Sequence, residues 1–296
     1  PFEIRLKNIP REGERMPAYY NEPCNSSALD RCLKRVREMS HWDEYYPKKD
    51  MGNGKVRSCG LAIAMQGSSI SSVDVGGCTL KVNDDGFYTM TLGCSDMGTG
   101  CDTILAQMAA DVLECDVDNI QTFGVDTDVS PYDSGSYASS TTYLTGMAVV
   151  KAAQKLRGII IGEGAAELGI DASSADFDGI YVYESEKPEN RINLSDIVTS
   201  VQSTGNISLS STEAHQSEIS PPPFMAGLCE IELDTETGEI KPLDYYACVD
   251  CGTVINPNFA RVQTEGGIVQ GIGMTLYEDV QYTDKGMCRA NSFLQY

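Results

Sequence analysis

Positive charge is scarce in this sequence. Lysine and arginine number 22 against 43 aspartates and glutamates in 296 residues, a formal net charge of −21. A chain so acidic repels nucleic acid and anionic membrane, and neither is expected as a partner. A small phosphate-bearing ligand stays possible, because backbone amides at a helix start donate locally whatever the net charge. No apolar run approaches the roughly 18 residues of a membrane span. Histidine is nearly absent: His41 and His215 stand in polar context, away from any cysteine cluster, and are expected at the surface. The opening Pro1-Phe2-Glu3-Ile4-Arg5 has neither an initial Met nor the apolar stretch of a secretion signal, so a processed product or an incomplete chain is expected. The P-loop pattern GxxxxGK[ST] is missing, and GxGxxG fails at Gly98 and Gly100 because Thr103 stands where the third glycine belongs. Both absences count against an ordinary nucleotide-binding module.

Cysteine, by contrast, is plentiful. There are 11, an odd number, scattered through apparent strands and helices. Cys248-Val249-Asp250-Cys251 is the one CxxC, which is half of a tetrahedral metal site. Residues 244–251 read as a buried strand, so these thiols are expected to be structural. With no secretion signal, a reduced, cytoplasmic setting fits better than a disulfide framework.

Hydrophobic residues make up 41% of the chain, enough for a buried core in one large domain or two modest ones. Ser26 or Ser27 is expected to cap a helix carrying Leu29, Cys32, Leu33 and Val36 on one face. Residues 61–65 read as a strand. Residues 78–82 and 87–92 read as a hairpin turning through Asn83-Asp84-Asp85-Gly86. A further strand is expected at 120–125, a long helix at 143–168 interrupted by Gly158 and Gly162, a short strand at 180–183, and a short helix from Asn193. Residues 200–223, rich in Ser and Thr and closing on three prolines, read as a linker or surface loop. Strands at 224–233 and 239–249 and a glycine-dotted helix at 259–277 complete an α+β pattern of mixed or antiparallel sheets with packed helices.

Residues 93–151 organise the chain. They hold two glycine- and serine-rich turns, Asp96-Met97-Gly98-Thr99-Gly100 and Ser134-Gly135-Ser136-Tyr137-Ala138-Ser139-Ser140, each running into a helix-like segment. Glycine lets backbone approach a ligand closely, and free amides at a helix start favour an anion. Either turn alone reads equally as an ordinary turn or a solvated cap. Together they suggest one large anionic ligand held from two sides.

Asp96-Met97-Gly98-Thr99-Gly100, Ala106-Gln107-Met108-Ala109-Ala110, Asp126-Thr127, Ser134 to Ser139 and Gly146-x-Ala148-Val149 follow one another in the order and spacing of a known family. So do Asp250-Cys251-Gly252, Asn256-Pro257, Gln263-x-Glu265-Gly266 and Val269-Gln270-Gly271. With the opening Pro1-Phe2-Glu3-Ile4-Arg5-Leu6-Lys7-Asn8, these segments resemble the molybdenum-cofactor subunit of the xanthine dehydrogenase/aldehyde oxidase family over nearly the whole chain. The resemblance implies an N-terminal helical arm at 1–55, a first molybdopterin-binding subdomain at 56–200, a linker at 201–223 and an incomplete second subdomain at 224–296. It implies molybdopterin with molybdenum, in some members as the cytosine dinucleotide, and iron–sulfur clusters and FAD on partner subunits or domains. The family hydroxylates N-heterocycles or aldehydes with oxygen from water; one branch reductively dehydroxylates an aromatic thioester, and residues 133–149 look closer to that branch. A noncatalytic paralogue of the same fold is the remaining alternative.

Carried over position by position, the resemblance makes Met97, Gly98, Thr99 and Gly100 one cofactor turn. Gly135, Ser136, Tyr137, Ala138, Ser139, Ser140 and Thr141 make the other. Thr99 stands where the family usually has Gln, and Ser140 where many bacterial relatives have Arg, which removes a phosphate-pairing cation. Gln270 matches the glutamine that hydrogen-bonds the ligands at the metal, and Ile63 and Ala64 fall where relatives line the substrate pocket. The family's catalytic glutamate lies in a Gly-x-Gly-Glu segment beyond the position of Tyr296. No catalytic base or direct metal ligand is therefore expected within these residues. A complementary molybdopterin-binding half is expected as a partner, and turnover by this chain alone is not.

Overall fold

The structure, a computed structural model, describes residues 1–205 and 208–294. In chain order its helices are α1 (Phe2–Asn8), α2 (Leu29–Met39), α3 (Trp42–Tyr45), α4 (Cys101–Leu113), α5 (Thr141–Leu168), α6 (Leu194–Ser203) and α7 (Pro257–Leu276). The strands are β1 (Arg15–Met16), β2 (Glu22–Pro23), β3 (Lys49–Gly52), β4 (Lys55–Met65), β5 (Val75–Val82), β6 (Tyr88–Leu92), β7 (Ile120–Phe123), β8 (Ala175–Phe177), β9 (Tyr181–Glu184), β10 (Lys187–Asn193), β11 (Ser210–Gln216), β12 (Phe224–Asp234) and β13 (Ile240–Asp250). The fold is α+β. The chain forms two compact units, one of Pro1–Gln66 with Pro222–Tyr296 and one of Gly67–Pro221. No described helix is long and apolar enough to cross a membrane.

The first unit draws its sheet from both ends of the chain, in the order β13-β12-β4-β3, all antiparallel. Alternate residues of β12, Phe224, Ala226 and Leu228, face one side and are buried. α2 presents Leu29, Cys32, Leu33 and Val36 to the same cluster at the i, i+3, i+4, i+7 spacing of an amphipathic helix. Phe2 meets Trp42 edge-on with ring centroids 4.9 Å apart, closing the core at α1 and α3. The expected Ser26 or Ser27 cap is replaced by a remote one. The N-cap is Ala28, whose amide donates to Asp250 Oδ2 at 2.6 Å, while Ser27 Oγ reaches only the Leu29 amide at 3.5 Å.

The next inward position of β12 is Glu230, 1% exposed. It accepts the His41 amide at 2.7 Å, with His41 Nδ1 3.2 Å away, so a buried carboxylate fixes the start of α3. The imidazole itself remains 53% exposed. The strand expected to be buried at 244–251 is half-buried at most. β13 is an edge strand with one hydrogen-bonded neighbour, its residues are half-buried or exposed, and Cys251 beyond it is exposed.

The second unit holds a sheet of order β11-β5-β6-β7. β5 and β6 form the expected hairpin, closed by the Gly86 amide on the Asn83 carbonyl, with Gly86 at φ +84°. Cys78, Leu80, Val82, Tyr88, Met90 and Leu92 point inward and are completely buried. α4 carries the chain from β6 to the parallel neighbour β7. α5 then runs unbroken through Gly158 and Gly162. A glycine costs a helix only ~1 kcal/mol against alanine, too little to break one that buries Leu144, Val149, Leu156 and Ile160. Helix and sheet meet closely: a Cβ at Gly76 of β5 would lie 2.6 Å from the Leu144 carbonyl carbon.

Residues 201–223, read as a linker, contain β11, which pairs with β5 over seven positions. Ser and Thr suit such an edge when their hydroxyls find cross-strand partners, as Thr79 and Thr212 do at 2.8 Å. The helix expected from Asn193 is α6, with Asn193 Oδ1 accepting the Ser195 amide at 2.9 Å.

Candidate functional site: two turns at the helix starts of the second unit

The first turn leaves β6 and enters α4. Gly98 (φ +102°) and Gly100 (φ +77°) take backbone conformations that favour glycine, and Gly100 is the N-cap of α4. The amides that were expected to face a ligand already have an acceptor. Asp96 takes the amides of Gly98 at 2.9 Å, Gly100 at 3.1 Å and Asp102 at 3.4 Å. Burial by itself would raise the Asp96 carboxyl; these amides and that of Thr99 outweigh it and hold the group below the usual carboxylate range. Met97 is 69% exposed beside this closed ring. Asp96, Asp102 and the Cys101 thiol offer ligand atoms within 4.8 Å of one another. Cys94 is hydrogen-bonded to Cys101 across the turn, and that bond together with burial pushes the Cys94 thiol above its ordinary range.

The second turn leads into α5. Asp133 anchors its base: Oδ2 accepts the Gly77 amide at 3.2 Å and the Thr145 hydroxyl at 2.8 Å, and Oδ1 accepts the Gly135 amide at 2.9 Å. Ser134 is stitched to Val75 by the Val75 amide on Ser134 Oγ and the Ser134 amide on the Val75 carbonyl, each 2.8 Å. Ala138 (φ +54°) and Ser139 (φ +56°) are consecutive non-glycine residues in left-handed backbone, and Ser140 returns to right-handed at φ −88°. Such a change of hand turns successive N–H groups into one concavity, a backbone shape that receives anions. The 28-residue helix α5 starts immediately afterwards, with Ser140 as its N-cap. Ser140 Oγ is turned inward onto the Gly135 and Tyr137 carbonyls at 3.0 and 2.9 Å, so it braces the turn.

The two turns lie side by side, since Ser136 Oγ donates to the Ser95 carbonyl at 3.3 Å. The open groove at the far end of α4, lined by Gln107, Asp111, Glu114 and Asp116 among others, involves neither of them. Gln270 is exposed on α7, in the other unit. Asn256, singled out with Pro257, caps that helix by accepting the Asn258 and Phe259 amides at 3.1 Å each. Asp250 serves as the α2 cap. His215 is half-buried, with Lys151 Nζ 2.9 Å from its Nδ1; burial and that ammonium lower its pKa, which corrects the expectation of a surface histidine.

Three carboxylates that shape the turns escaped the sequence reading. Asp96 and Asp133 each stand two residues before a glycine whose amide they accept, a local Asx-turn signal that was available. Asp74, which accepts the Tyr137 hydroxyl at 2.6 Å, gave none, because its partner lies 63 residues away.

Comparison with known proteins bears on this geometry. Residues 35–296 match the family model described as the molybdopterin cofactor-binding domain. Over 262 residues the chain is 34% identical to "Probable hypoxanthine oxidase XdhD" of Escherichia coli (strain K12), covering 88% of this chain and 27% of that protein. It is 28% identical over 320 residues to the nicotine 6-hydroxylase large subunit of Paenarthrobacter nicotinovorans, covering all of this chain and 38% of that one. The chain thus spans well under half the length of these curated relatives. The crystal structure of quinoline 2-oxidoreductase from Pseudomonas putida 86 superposes with a TM-score of 0.83 at 22% identity, over 100% of this chain and 40% of that one, a likeness of fold.

Proposed function

The chain belongs to the molybdopterin cofactor-binding domain family, the xanthine dehydrogenase type that its motifs resemble, and on that footing we propose that it forms part of the large subunit of a molybdenum-dependent hydroxylase. The substrate class proposed is an N-heterocycle or an aldehyde. Two similar proteins named for hypoxanthine and nicotine support the N-heterocycle.

The observation that carries the reading is the second turn. Its left-handed Ala138–Ser139 pair and the α5 start fit the anionic end of a pterin cofactor. Ser136, Tyr137, Ala138, Ser139, Ser140 and Thr141 would hold that end through the backbone, as fixed donors needing no net positive charge, with Gly135 at the base of the turn, its amide taken by Asp133. Met97, Gly98, Thr99 and Gly100 would flank it as a rigid wall, because Asp96 already accepts amides of their turn. Molybdopterin would supply the redox chemistry when bound, and iron–sulfur and flavin groups on partner subunits or domains of a cytoplasmic assembly would serve as its electron acceptors. The cytosine dinucleotide is the form whose phosphates the second turn would accept.

Gln270 would serve as an amide donor near the metal, where a neutral, hydrogen-bonding side chain orients polar groups without adding charge. A complementary molybdopterin-binding half would supply the remaining wall of the site. Assembly of the chain with that half, followed by molybdenum and pterin analysis, tests the reading. Near-stoichiometric molybdenum that is lost when residues 134–140 are replaced by a glycine–serine linker is the expected result. An assembled complex that holds molybdenum equally well with the replaced turn would overturn it.

A further inference from the structure

The sequence motif assigns Tyr137 to the cofactor, but its hydroxyl is directed elsewhere. It donates to Asp74 Oδ1 at 2.6 Å. Asp74 is 1% exposed, and its other oxygen accepts the Ile70 amide at 2.7 Å. Burying a carboxylate is costly unless its oxygens are hydrogen-bonded, and here one oxygen serves its own loop while the other reaches across to the turn. The Tyr137 ring is half-exposed and could take water as a partner. A buried charged acceptor makes that bond directional and short instead.

The loop that presents Asp74 is itself braced. The Asp74 amide donates to the Ile70 carbonyl, the Ser72 amide to the Ser217 carbonyl at 2.7 Å, and Ser220 Oγ to the Ser69 carbonyl at 2.8 Å. From this loop a second contact reaches the turn: the Ser69 amide donates to the Ala138 carbonyl at 3.0 Å. Ser69 has φ +119°, and Ala138 and Ser139 are left-handed, so three uncommon backbone conformations meet at one place. Such conformations persist where their surroundings over-determine them. The grip on Tyr137 and the grip on Ala138 together do so.

We propose that Asp74 is a positioning residue for the second turn: by holding the Tyr137 hydroxyl, it keeps Ala138 and Ser139 in the left-handed backbone that aims the turn's amides at an anion. Tyr137 then acts as the handle of the turn, with its hydroxyl directed away from the ligand. The proposal rests on the reading that the second turn holds the anionic end of the cofactor.

The test uses the 296-residue chain, inorganic phosphate as the probe, and amide NMR with hydrogen exchange. In the wild type, phosphate should shift the amides of residues 136–141, and the Ser69 amide should be protected. Tyr137→Phe, which keeps the exposed ring, and Asp74→Asn should each speed Ser69 exchange at least tenfold and weaken phosphate binding about tenfold. Val182→Ala, a buried change in β9, should lower the melting temperature and leave both readouts as in the wild type; if it weakened phosphate binding equally, the role of Asp74 would be structural only. Wild-type Ser69 protection and phosphate affinity in both variants would overturn the role of Asp74 and leave the reading of the turn intact. A wild-type chain with no phosphate shift at 136–141 would overturn the reading of the turn itself and the proposal with it.

Discussion

Asp96→Ala is the sharpest probe of the first turn. It removes one carboxylate that accepts three amides, two of them at 2.9 and 3.1 Å. Loss of a side-chain acceptor at a helix N-terminus costs ~0.5–2 kcal/mol. Asp96 and Gly98 are exposed and Gly100 is half-buried, so water replaces part of what is lost, and a cost of about 1 kcal/mol is expected. For a unit of this size that lowers the melting temperature by about 2–4 °C. The effect should follow pH in one direction. Folding holds the Asp96 carboxyl below its unfolded range, so its contribution is present above the unfolded pKa of about 3.9 and fades as pH falls through the folded value. Thermal unfolding of both proteins from pH 7 down to pH 3 is the assay. The gap between wild type and variant should be constant above about pH 5 and should close below about pH 4. A gap that persists undiminished at pH 3, or no gap at pH 7, would refute the self-capped turn.

Asp133→Ala should be more damaging, because it strands the Gly77 amide and the buried Thr145 hydroxyl along with the Gly135 amide; a loss of ~3 kcal/mol by denaturant unfolding is expected, and one below ~1 kcal/mol would remove Asp133 as the anchor. Glu230→Ala should cost ~1–3 kcal/mol by the same measurement, since it deprives the His41 amide of its acceptor in the first unit. Gln270→Ala touches an exposed helix position and should leave stability within ~0.5 kcal/mol. In the complete assembly that variant should lower turnover more than molybdenum content. A parallel fall in both would make Gln270 a cofactor-retention residue.

What the sequence disclosed was local. The 3.6-residue spacing of Leu29, Cys32, Leu33 and Val36 announced α2, and Asn83-Asp84-Asp85-Gly86 announced a hairpin, because each signal and its cause lie within a few residues. The motif order also placed the two turns at the starts of α4 and α5. Hidden from it were contacts between distant residues. Asp250 caps α2 across 222 positions, and β12 pairs with β4 to build a sheet from both ends of the chain. Composition misled at residues 201–223, where Ser and Thr, which solvate a loop equally well, form the edge strand β11 through pairing with β5. At the site, glycine was taken as a sign of free amides. A neighbouring aspartate can occupy the same amides, and in the first turn it does.

The most direct test of the cofactor reading is hydrogen–deuterium exchange on the assembled enzyme with its molybdenum cofactor, compared with the same assembly after cofactor removal. Slower exchange in the holoenzyme is expected across residues 136–141, with little change in the amides of Gly98, Gly100 and Asp102, which Asp96 protects in either state. Protection confined to residues 96–102, or none in either turn, would contradict the account.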